Sequence, residues 1–182
     1  MDTPYEFVSL FGNVLCLTHF VVSYASKWTS KILFQNKTTT SNSVISIQYA
    51  PRMFTSSLLL LHNAIYAYSI GITDCALFIF VCWMNSINYW RNPIYGFRRN
   101  IDLVSSIVAS CYHFYCAIQI VPPILYRLVM ITFCGWYALA LICGRIWQNE
   151  HYSSICHVNL HCTAIVFNTW LLAQLYSIRS KH

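Results

Sequence analysis

The sequence predicts an all-α protein, a polytopic membrane helix bundle of about six transmembrane helices (five to seven) in one integral membrane domain. Three observations predict it. Of 182 residues, 57% are hydrophobic and only 9% charged, whereas soluble domains carry about 25% charged residues. Mean hydropathy is +0.51, and a globule this small exposes too much surface to hide such an apolar excess without lipid as part of its solvent. The apolar residues also come in runs near the roughly 20 residues that cross hydrocarbon, separated by polar or basic segments.

The first run, residues 7–25, contains Asn13 and His19 and follows Asp2 and Glu6. With no basic region before it, it reads as a span and not as a cleaved leader. Residues 26–54 form a polar loop with Lys27, Lys31 and Lys37 and a Thr38 to Ser43 polar tract. Between Thr55 and Trp90 the chain is apolar for about twice the length of one span, and Gly71-Ile72-Thr73-Asp74 is its only turn chemistry. It therefore divides into helices at 55–70 and 75–90, with Thr73 or Asp74 as N-cap of the second. Arg91 to Asn100 holds Pro93, Gly96 and three arginines and reads as a short basic loop. A fourth helix runs over 102–121 and stops at Pro122-Pro123, which cannot donate to the helical ladder. The fifth covers 124–143, with Arg127 reaching the near interface, and the sixth covers 156–178 before a basic tail.

Charge placement orients the bundle. With the N-terminus outside or lumenal, one side carries Lys27, Lys31, Lys37, Arg52, Arg91, Arg98, Arg99 and Arg145, and the other only Arg127, Arg179 and Lys181. This is the positive-inside pattern of a multi-pass protein. It also argues against nucleic acid as a partner, because no basic stripe is interleaved with stacking aromatics in a water-facing segment. The sequon at Asn36 falls on the cytoplasmic side and reads as a chance match. Nine cysteines lie mostly inside apolar runs without any CxxC pair, as buried hydrophobic thiols do.

Strongly polar side chains at membrane depth are costly, so each invites a functional reading. His157 and His161 lie four residues apart, which puts both imidazoles on one helix face at a spacing suited to a metal ion. Ser86 near the end of the third helix, Asp102 at the start of the fourth and the histidine pair at the start of the sixth meet at the cytoplasmic ends. For Asp102 the alternatives are an N-cap or a base; for Ser86, small-residue packing or a hydrogen bond to a reacting group. Arg91, Arg98 and Arg99 beside Tyr89, Trp90, Tyr95 and Phe97 either set topology or face lipid headgroups.

In this order and placement the residues resemble the CREST membrane-hydrolase superfamily, which includes the alkaline ceramidases and the progestin and adiponectin receptors. Ser86 matches the serine of its Ser-x-x-x-His, Asp102 its aspartate, and His157 and His161 its last-helix pair. The resemblance covers about 77–102 and 154–176 and implies a seven-helix fold. It implies zinc held by three histidines, with the serine and aspartate helping to hold or activate a zinc-bound water that cleaves a lipid amide at the cytoplasmic leaflet. Four positions after Ser86, however, stands Trp90. His62, about 10 Å into the second helix, is the substitute ligand that depth favours. His113 lies nearer the midplane, and Cys82, Cys156 and Cys162 are further conceivable ligands. The expected function is thus a divergent zinc-dependent lipid hydrolase. The alternative is a non-enzymatic polytopic protein (a small transporter, assembly factor or scaffold) whose partners are membrane lipids.

Overall fold

The computed structural model describes residues 20–34 and 43–180. The greater part of the 7–25 run and the Asn36 sequon lie outside the described residues. Among those described, every regular element is helical, and the only strand-like feature is an isolated bridge between Ser43 and Ile94. Residues 20–29 are helical and close in a π-helical turn, Ser30–Phe34; together they form α1. Then come α2 (Ala50–Ser69), α3 (Thr73–Trp90), α4 (Phe97–Ile120), α5 (Pro123–Leu141, extended by a π-helical turn Ile142–Ile146) and α6 (Glu150–Arg179).

The helices reach further toward the basic end than hydropathy predicts, because polar residues there find partners instead of ending the helix. The polar loop expected over 26–54 contains the end of α1 and the first turn of α2. Pro51 sits in that first turn, where a missing N–H costs nothing. Arg52 points its guanidinium at His151 Nδ1 (3.2 Å) and the Ser154 hydroxyl (3.3 Å) on α6. Gly96, at φ 134°, makes the turn into α4. Asp102 is therefore in the second turn of α4, not at its cap. Asn149 caps α6 by accepting from the Tyr152 amide at 3.2 Å, so this helix starts before the predicted 156. Glu150, in its first turn, suits the helix dipole and accepts from the Ser46 amide at 2.9 Å. At the other end, α3 is preceded by Ile72 with no side-chain cap. Asp74 is turned instead to the Tyr112 hydroxyl and to Arg179, 3.5 Å away.

Tertiary packing puts α2 between α3 and α6, with α5 on another side of α6 and α4 against α3. Leu60, Ala64 and Ala67 of α2, Cys75 and Ile79 of α3, and Ile165 and Leu172 of α6 make the main core. A second apolar cluster, with Met53, Tyr89, Trp90, Val158 and Cys162, lies near the basic end. Where α5 approaches α6, Gly144 leaves room for a serine hydroxyl. A Cβ on Gly144 would stand 2.9 Å from Ser153 Oγ, which donates to the Ala140 carbonyl at 2.9 Å.

Among the described residues, three helices are long and apolar enough to cross a membrane: α4, α5 with its π turn, and α6. They are used differently. In the apolar stretch of α6, 56% is buried inside the protein, against 17% in α4 and 17% in α5. Val104, Ile107, Val108 and Ile118 of α4 and Ile124, Leu128 and Ile131 of α5 all point outward. Such a continuous apolar exterior marks a surface made for an apolar neighbour.

Where α4, α5 and α6 meet, a cavity of about 30 Å³ is lined by Ser110, His113, Thr163 and Asn168 among aromatic side chains. His113 Nε2 and Thr163 Oγ1 are buried there with no hydrogen-bond partner among the described residues. Valine matches threonine in shape and removes the unpaired hydroxyl, so Thr163→Val is expected to leave stability unchanged or raise it by about 1 kcal/mol. Thermal unfolding of the purified chain checks this, and a lower midpoint would mean that the hydroxyl has a favourable partner.

Candidate functional site

The four residues singled out in the sequence come to the same end of the bundle, and α2 sorts them into two groups. On one side of α2, the Ser57 hydroxyl donates to Ser86 Oγ at 3.3 Å. Ser86, almost wholly buried, is also within hydrogen-bond reach of the Asp102 carboxylate. Asp102 Oδ1 is buried without a hydrogen-bond partner among the described residues. Tyr89 lies close to Asp102 and hydrogen bonds with Arg99, whose guanidinium also sits 5.4 Å from the Tyr95 ring centre.

On the other side, Ser56 Oγ meets His161 Nδ1 at 3.0 Å. The rings of His161 and His157 are 4.8 Å apart, and the His157 ring meets Trp90 edge-on at 5.2 Å. Ser56 and Ser57 are neighbours on α2, about 100° apart around its axis, so one turn of backbone joins the two groups. Sequence reasoning missed this pair. Its signal was present: two serines followed by four leucines, in a run where His62 alone was singled out.

Zinc does not fit this donor set well. A catalytic zinc takes three protein ligands and keeps a fourth position open. The histidine pair supplies two imidazoles, His161 keeping its Nε2 while Nδ1 bonds Ser56, and the Trp90 indole packs on His157 where the resemblance expects a third imidazole. His62, the expected substitute, is exposed on α2, away from the buried side that carries Ser56 and Ser57. The reason is helical phase: six residues from Ser56 turn the helix by about 240°. His113 lines the separate cavity among α4, α5 and α6. Among the described residues, no group of three His, Cys, Asp or Glu side chains is placed to share a metal ion.

A further polar fastening lies deeper. Asn63, completely buried on α2, donates from Nδ2 to the Ile165 carbonyl of α6 at 3.0 Å and accepts from Thr169 Oγ1 at 2.9 Å. A lone asparagine in an apolar helix signals such a bond without revealing its partner. Arg91, Arg98 and Arg99 remain at the basic end, with Arg91 and Arg98 on the surface. In comparisons with known proteins, no family model, no curated protein and no solved structure matches the chain. Its class is therefore defined by the helices and their polar contacts alone.

Proposed function

We propose that this chain is a multi-pass integral membrane protein that works as a non-enzymatic, lipid-embedded scaffold. The observation that carries the reading is the outward apolar face of α4 and α5, with only 17% of each spanning stretch buried by protein. On this reading α2 to α6 are antiparallel spans that follow the first span expected from the sequence at 7–25, and the N-terminus is outside or lumenal. The polar cluster lies at the cytoplasmic face, where Arg52, Arg91, Arg98, Arg99 and Arg145 gather. Its side chains act as interhelical fasteners: Ser57 with Ser86 ties α2 to α3, Ser56 with His161 ties α2 to α6, and Asp102 with Ser86 ties α4 to α3. Polar contacts of this kind select one helix arrangement where lipid and leucine are equally apolar.

One observation favours a second reading, a divergent lipid-amide hydrolase of the CREST type. Asp102 faces Ser86 with one carboxylate oxygen unpartnered, as a group awaiting a substrate or water would be. Metal analysis of the full chain purified in detergent separates the two. The scaffold predicts less than about one zinc per ten chains, since two imidazoles hold zinc poorly. It also predicts that His157→Ala with His161→Ala lowers stability by about 1–2 kcal/mol through loss of the Ser56 bond, without changing metal content. Stoichiometric zinc that disappears in the double variant, together with release of fatty acid from a ceramide, would establish the hydrolase instead.

A further inference from the structure

We propose that the groove between α3 and α4 seats one anionic phospholipid, with an acyl chain along the cleft and the phosphate at its arginine-bearing mouth. The groove encloses about 520 Å³. Leu77, Phe78 and Val81 form one wall, and Val104 and Val108 the other. Along α4 it runs from Phe97 to Val108, about 16 Å at the helical rise, which suits the greater part of an acyl chain.

Its polarity is graded. The inner part is aliphatic and aromatic apart from Ser105, whose hydroxyl donates to the Asp102 carbonyl at 3.0 Å, while the end at the start of α4 carries Asn85 and Asn100. Arg98 is exposed in that same first turn, next to Phe97, itself 79% exposed. Arg99, held by Tyr89 and Tyr95, lies on the opposite face of α4 from the groove. The nearest carboxylate in the sequence, Asp102, faces Ser86 and does not offset the Arg98 charge at the surface. A cationic, amide-bearing mouth above an apolar cleft complements an anionic head on an acyl tail. It complements a zwitterionic head less well, because the choline cation would meet Arg98.

The inference rests on the membrane reading above and adds a lipid class and a position. Membrane residence is tested first: a chain released from membranes by alkaline carbonate would overturn that reading and the groove with it. For a retained chain, the protein is purified in neutral detergent and offered equal dioleoyl phosphatidic acid and dioleoyl phosphatidylcholine in mixed micelles. Bound lipid is then quantified by mass spectrometry after gel filtration. The expected result is an enrichment of phosphatidic acid of at least about fivefold, reduced about fivefold by Arg98→Gln, the effect of one surface cation on an anionic lipid.

Val104→Trp and Leu77→Trp fill the cleft from exposed positions and are expected to abolish retention. Arg145→Gln, which removes an exposed arginine outside the groove, is expected to change nothing. Three results would overturn the groove while leaving the membrane reading intact. They are equal binding of the two lipids, retention unaffected by both tryptophans, or a loss in Arg145→Gln matching that in Arg98→Gln.

Discussion

Asn63→Asp is expected to lower stability by roughly 3–5 kcal/mol, a large part of the roughly 5–15 kcal/mol that holds a typical domain together. The substitution changes a single group. The amide donates to the Ile165 carbonyl and accepts from Thr169 at a site with no solvent exposure. A carboxylate keeps the second bond but turns an oxygen toward the Ile165 carbonyl oxygen, so attraction becomes repulsion and a charge is buried unpaired. Asn63→Leu separates these effects. It removes the amide without adding charge, and the Thr169 hydroxyl, freed from Asn63, turns its one proton to the Ile165 carbonyl 2.9 Å away, so its cost should be no more than about 1–2 kcal/mol. Chemical unfolding of the full chain measures both. Equal losses in the two variants would show that volume, not polarity, governs this contact.

Leu172→Ala should cost about 2–3 kcal/mol. Leu172 is 1% exposed and shares its cluster with Ala64 and Ala67 of α2 and Ala76 of α3. Those small side chains have no atoms to move into the space, and their backbones are held in helices, so the cavity stays open. In a water-soluble core the loss would range up to about 5 kcal/mol. The lower half of that range is expected here because helices separated in lipid keep their leucines in an apolar solvent, leaving packing as the main term. Leu128→Ala, on the exposed side of α5 with Leu128 52% exposed, is the control and should stay within about 0.5 kcal/mol.

Much of the helical order was legible from runs of apolar residues broken at Gly71, Pro93 and Pro122. Helix ends were not. The structure starts α4 at Phe97 and α6 at Glu150, earlier than hydropathy suggests, because Arg99 finds Tyr89 and Glu150 finds the Ser46 amide. Hydropathy counts each polar residue as a cost and cannot see a partner about a hundred positions away. The same blindness produced the two cap assignments, at Asp102 and at Asp74, whose side chains point across the bundle to Ser86 and to Tyr112.

The candidate site divides in the same way. Depth arithmetic along each helix brought Ser86, Asp102, His157 and His161 to one end, since rise per residue is a property of the backbone. Rotation about each helix was harder to read. His62 lay at a usable depth and on the wrong face, while Ser56 and Ser57 lay on the right face and went unnoticed.

By itself, then, the sequence determined that this is an all-helical chain with an apolar exterior, which end of it is basic, and which scarce polar residues gather there. These follow from local quantities: composition, run length and axial rise. Only the tertiary structure decided that α2 stands between α3 and α6, that Trp90 packs on His157, and that Asp102 keeps one oxygen unpartnered beside Ser86. Such facts depend on the angle at which each helix meets its neighbours, which is set by the fit of many small contacts in the core.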